Sequence, residues 1–142
     1  DDIVVNADDA IYTTPEEEIE FQSRSGVDFL AAAIGTANGF YKVEPRLDID
    51  TLRAIRARTD FPLVVHGGTG LAPEVVKELV KAGGCKFNVS TQIKQTYIDS
   101  MYGYIDAKRT EYNILKVLAA AKQDLTDMIA GYITLLGGEG KA

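Results

Sequence analysis

Three short apolar runs, separated by helix-length amphipathic stretches, set the strongest limit on how this chain folds. They are Phe29-Leu-Ala-Ala-Ala-Ile34, Phe61-Pro-Leu-Val-Val65 and Cys85-Lys-Phe-Asn-Val89. None shows the polar spacing of a surface helix, and each ends in small or polar residues. Continuous apolar runs of this length suit strands buried on both faces, as in a parallel sheet.

Helices are expected between them. Thr69 to Ala82 places Leu71, Val75, Val76, Leu79 and Val80 on one face, with Pro73 in the first turn and Gly83-Gly84 as the stop. Asp48 to Ala57 reads as a second helix, with Asp48 or Asp50 as N-cap and Leu52 and Ile55 facing inward. Upstream, Thr13-Thr-Pro-Glu-Glu-Glu-Ile-Glu-Phe21 joins a capping residue, a first-turn Pro and an acidic start, which together open a helix. The tail divides into a helix from Thr91 to about Ile105 and another from about Tyr112 to Leu136. The inner positions of the latter are Ile114, Val117, Leu118, Leu125, Met128 and Ile129, and Gly137-Gly138 ends it. Alternation of strands and helices implies right-handed βαβ units and a parallel sheet.

Composition narrows the function classes. With 142 residues, 46% of them hydrophobic and 25% charged, the chain reads as one soluble globular domain over residues 1–142. The net charge of −6 argues against a nucleic-acid partner, because neutralising a phosphate backbone needs clustered Lys and Arg. No apolar stretch approaches the roughly 20 residues of a membrane span, and no signal-peptide pattern opens the chain. The single cysteine, Cys85, excludes an intrachain disulfide and fits a reducing cytoplasmic setting; as the first residue of a buried strand it is expected to be inert. The start at Asp1-Asp2, without Met, is consistent with a segment of something longer.

In parallel α/β folds ligands bind beyond the carboxyl ends of the strands. At those ends the three runs lead into Gly35-Thr-Ala-Asn-Gly-Phe-Tyr-Lys42, His66-Gly-Gly-Thr-Gly70 and Asn88-Val-Ser-Thr91. Glycines let backbone N–H groups approach an anion, and a helix starting just beyond adds its positive dipole end. Each signal has a plainer reading: a tight turn at Gly67-Gly68, a hydrogen-bonded core histidine at His66, helix caps at Asn88 and Thr91. Their recurrence at successive strand ends favours a phosphate site.

These residues resemble the class II fructose- and tagatose-bisphosphate aldolases, whose motifs, like GTxHGxY, HGGSG and NxxT, are matched in the same order by Gly35-Thr-Ala-Asn-Gly-Phe-Tyr41, His66-Gly-Gly-Thr-Gly70 and Asn88-Val-Ser-Thr91. Asp8-Asp-Ala-Ile-Tyr-Thr-Thr-Pro-Glu16 and the tail Leu135-Leu-Gly-Gly-Glu-Gly-Lys-Ala142 are also similar to family segments. The likeness covers nearly the whole chain but only about the last half of the family's barrel. It implies the C-terminal half of a TIM (β/α)8 barrel, with the N-terminal half absent. It further implies a Zn2+-dependent lyase of carbohydrate metabolism and glycolysis, acting on a sugar phosphate through dihydroxyacetone phosphate and forming a homodimer or homotetramer. By the same resemblance His66 is a zinc ligand. Gly39, Gly67, Gly68 and Thr69 hold the triose phosphate, with Asn88, Val89, Ser90 and Thr91 completing the loop and Lys42 supplying a nearby cation. The proton-moving acid and a further histidine belong to the N-terminal half, so no catalytic base is expected in this chain. One departure stands out. Asn38 occupies the position of a second zinc-binding histidine, and a neutral amide is a poor zinc ligand. Two other readings therefore stay open: a non-catalytic sugar-phosphate-binding relative that has lost a metal ligand, and an unrelated phosphate-binding barrel fragment in which His66 is an acid or base.

Overall fold

A computed structural model of the chain describes residues 12–39, 41 and 44–141. They form an α/β arrangement of two compact units, divided between Val89 and Ser90.

The first unit contains α1 (Pro15–Ser25), α2 (Ile49–Arg56), β1 (Leu63–Val65), α3 (Pro73–Lys81) and β2 (Gly84–Phe87). β1 and β2 pair in parallel, with Val65 opposite Phe87. On the other edge of β1, Leu30 makes one parallel bridge to Leu63, and Val64 N–H donates to Leu30 O at 2.8 Å. Neighbouring strands keep chain order with a helix between them, the βαβ pattern anticipated from the alternation. The first predicted strand is reduced to that bridge. Ala32 and Ile34 point into the core while Phe29, Ala31 and Ala33 are exposed, so the run is covered on one side only.

Local chemistry explains the helix bounds. Thr14 caps α1 through a reciprocal pair: its hydroxyl accepts from Glu17 N–H while the Glu17 carboxylate accepts from Thr14 N–H at 2.9 Å. Asp48 caps α2 by accepting from Thr51 N–H at 2.9 Å. α3 begins at Pro73, where the missing N–H costs nothing. Leu52, Ile55 and Leu79 from these helices meet Ile34, Leu63 and Val65 in one core, each at most 1% exposed. Burying such a side chain contributes roughly 1.5–3 kcal/mol. Arg53 bridges α2 to α3 by pairing with Glu78 at 2.7 Å.

The second unit is a helical hairpin of α4 (Thr91–Ala107) and α5 (Ile114–Leu135). Gly137 at φ +72° lets Gly138 N–H reach back to Ile133 O at 2.9 Å, ending α5 where the glycine pair predicts. The inner face expected for α5 is only partly realised. Val117 and Ala121 are buried, whereas Ile114, Leu118 and Ile129 are exposed, because within this unit α5 has only α4 to pack against. Among the described residues no helix is long and apolar enough to cross a membrane.

A candidate anion site at the strand ends

The register of the sheet does most of the assembly. Because Val65 pairs with Phe87, the residues just past the two strands, His66 and Asn88, leave side by side. The Asn88 side-chain nitrogen lies 3.4 Å from His66 Nδ1 and 3.5 Å from Nε2. An atom almost equally far from both nitrogens cannot lie in the ring plane without striking Cε1. The amide therefore lies out of the ring plane, at the long limit of a hydrogen bond to either nitrogen, with the roles set by the imidazole tautomer. Asn88 is oriented from its other end, where Lys86 Nζ donates to Oδ1 at 2.5 Å. Lys86 lies in β2 and Asn88 just past its end, and the two-residue spacing along extended chain turns both to one side. Asn88 acts as a link between the lysine and the histidine, and the helix cap position falls to Ser90 instead.

Close backbone approaches fix the remaining geometry. Gly67 has φ +66°, and a Cβ there would stand 2.1 Å from Ala37 O. Only glycine lets the Gly35–Gly39 segment lie against this strand end. A Cβ on Gly68 would meet Val89 Cγ2 at 3.3 Å, which places the third loop on the other side. Gly67, Gly68 and Thr69 are buried, and His66 is exposed rather than the core histidine of the plainer reading. Asn38 is exposed, one residue beyond Ala37, and Gly39 at φ +102° has open space around it. The structure thus brings together His66, Gly67, Gly68, Asn88 and Val89, with Ala37, the sequence neighbour of Asn38, packed on Gly67. Ser90 and Thr91 open the second unit. Lys42 lies outside the described residues, as does the start of the Asp8–Glu16 segment.

Two groups were given no role by the sequence reading, although Tyr41 stands in its first motif. Tyr41 Oη accepts from Ala37 N–H at 3.0 Å and donates to Gly67 O at 2.9 Å. Its burial pushes the phenol above its usual pKa, so it remains protonated near neutrality. Lys86 is the described cation beside the loops, and its two-residue spacing from Asn88 was the available signal. Cys85, expected to be buried and inert, is exposed, and its thiol donates to Leu63 O at 3.2 Å. In β2 Gly84 is buried while Cys85 and Lys86 are not, so this strand, too, is not covered on both faces.

A zinc ion finds an incomplete donor set here. A catalytic zinc takes three protein ligands, and His66 supplies one imidazole. Asn38 offers a neutral amide, and among the described residues no three His, Cys, Asp or Glu side chains gather to hold a metal. The described residues do not fit the ion on their own.

The family model described as class II fructose-bisphosphate aldolase matches residues 1–141. The X-ray structure of the YdjI aldolase from Escherichia coli K12 superposes with a TM-score of 0.81 at 29% identity, covering 92% of this chain and 48% of that one. The fructose-bisphosphate aldolase of Campylobacter jejuni superposes with a TM-score of 0.75 at 20% identity, covering 89% of this chain and 45% of that one, a likeness of fold alone. The chain spans less than half the length of these two structures.

Proposed function

The chain belongs to the class II fructose-bisphosphate aldolase family, and from that premise we propose that it is the C-terminal half-barrel of a class II aldolase. The proposed reaction is the metal-dependent, reversible aldol cleavage of a ketose bisphosphate, fructose- or tagatose-derived, to dihydroxyacetone phosphate and an aldehyde phosphate. The observation that carries this reading is the meeting of the ends of three successive apolar runs at Ala37, at His66–Gly67 and at Asn88.

The proposed work of these residues is to hold and orient. Glycines at 67 and 68 let a phosphate come down onto the backbone, and α3, which starts a few residues later, adds a positive dipole end. The Lys86 ammonium, tied to Asn88, raises the local positive charge without itself reaching the anion. Fixing the phosphate fixes which face of the triose meets the reacting groups, and such orientation lowers a barrier by removing rotational freedom. Gly39, Lys42, Thr69, Val89, Ser90 and Thr91 belong to the same proposed phosphate site. His66 is exposed where it could donate one ligand to Zn2+. The remaining ligands and the proton-moving base are assigned to the N-terminal half of the barrel; residues 1–142 are proposed as a single domain, the C-terminal half-barrel, of an enzyme that forms a homodimer or homotetramer.

The test is cleavage of ketose bisphosphates by the full-length protein, with and without added Zn2+. Turnover that needs the metal supports the proposal, and no turnover in excess zinc sinks it. Asn38 favours a second reading, a sugar-phosphate-binding relative without catalysis. Triose-phosphate binding that persists in a chelator, without turnover, selects that reading, and gain of turnover in Asn38→His assigns the loss to this position.

A further inference from the structure

The connection between Gly35 and Arg46 is anchored at its two described ends. Asp48 N–H donates to Ile34 O at 2.9 Å, and Tyr12 Oη donates to Arg46 O at 3.0 Å. A Cβ on Gly35 would strike Arg46 O at 2.2 Å, so the two ends of the loop are pressed together. Its far side is different, for nothing lies within 4 Å of a Cβ built on Gly39. Between base and tip, the phenol oxygen of Tyr41 makes a hydrogen-bonded connection to the neighbouring strand end, beside the backbone approach of Ala37 to Gly67. That oxygen closes the 37–41 segment on itself by accepting from Ala37 N–H and ties it to the next loop by donating to Gly67 O.

We infer that Tyr41 is a positioning residue that couples the Gly35–Gly39 loop to the His66–Gly68 strand end, so that both loops meet one anion as a single pre-formed surface. The inference rests on the phosphate-site reading above and deepens it. A half-buried hydroxyl with both a donor and an acceptor partner has one orientation available. Its geometry holds the Ala37 peptide over the Gly67 α-carbon, a contact that glycine permits but does not enforce. Without the hydroxyl, Ala37 N–H and Gly67 O each lose a partner, and the loop gains freedom that must be lost again when an anion binds. Pre-organisation of this kind raises affinity without touching the ligand.

The experiment uses nuclear magnetic resonance on the chain and its Tyr41→Phe variant, with inorganic phosphate and dihydroxyacetone phosphate as probes. In the unmodified chain the Ala37 amide should resist hydrogen exchange, and the Ala37, Gly39, Gly67 and Gly68 amides should share one binding curve. Tyr41→Phe keeps the ring and should weaken binding about ten-fold, the order expected from one or two hydrogen bonds. Its melting temperature should change little. A role in folding alone would do the reverse, lowering the melting temperature and leaving the affinity of the folded protein intact. If the unmodified chain binds neither probe, the phosphate reading fails and takes the inference with it. If the unmodified chain binds and Tyr41→Phe binds equally well, the inference is overturned while the phosphate reading stands. If the variant does not fold, Ala37 exchange decides: an amide as labile as an exposed turn in the unmodified chain overturns the inference.

Discussion

The two units of the chain treat their apolar residues differently. In the first, Leu52, Ile55, Leu63, Val65 and Leu79 are almost wholly enclosed by two helices and the sheet. In the second, the longest helix of the structure buries Val117 and Ala121 and leaves Ile114, Leu115, Ile129 and Ile133 exposed. Both have the apolar spacing of a helix or strand with an inner side. The difference teaches that spacing marks the side to be covered, while the elements at hand decide how much of it is covered.

Glycine substitutions test this contrast most severely. Gly67→Ala forces a side chain onto Ala37 O from a left-handed backbone, and is expected to cost on the order of 3–5 kcal/mol and to abolish phosphate binding. Gly131 lies in α5 with nothing within 4 Å of an added Cβ. Gly131→Ala should stabilise the hairpin by about 0.5–1 kcal/mol through helix propensity. Denaturant unfolding of each variant measures both, and equal effects would dissolve the distinction between the units.

Truncating apolar side chains probes the same contrast at lower amplitude. Leu79→Ala empties a position that is 0% exposed and should cost about 2–5 kcal/mol. Ile129→Ala acts on a residue 44% exposed and should cost less than about 1 kcal/mol. A larger loss at Ile129 than at Leu79 would mean that the hairpin is enclosed in solution.

The smallest effect concerns a polar residue inside the first unit. Glu18 of α1 is buried, and its Oε2 has no hydrogen-bond partner among the described residues. Burial raises its pKa above the ordinary 4.5, against a hydrogen bond with Thr13 that lowers it. The folded state therefore holds this proton more tightly than the unfolded state does. Its contribution is most favourable below the unfolded pKa and is lost as the pH rises through the folded one. Glu18→Gln should raise the melting temperature at neutral pH and leave it nearly unchanged in acid. A gain that is larger in acid contradicts the assignment.

Much of the site's outline was legible in the sequence, for identifiable reasons. The strand-end motifs could be found because glycine and small polar residues succeed apolar runs, and parallel pairing brings such ends together. Helix caps at Thr14 and Asp48 were legible because capping depends on residues a few positions apart. The link through Tyr41 was not, since its acceptor at Gly67 is 26 residues away and only the fold brings them together. Nor was the exposure of Cys85, because an apolar run signals what a strand can bury and is silent on which faces are covered. At Asn38 the sequence alone carries the argument: a neutral amide is a poor zinc ligand.

The most direct measurement is a crystal structure of the chain soaked with dihydroxyacetone phosphate. The phosphate should lie against Gly67 and Gly68, bounded by the Ala37 and Asn88 loops, with the triose directed toward His66. Density for the ligand elsewhere on the molecule, with those loops left bare, would contradict the reading of these strand ends as an aldolase's phosphate grip.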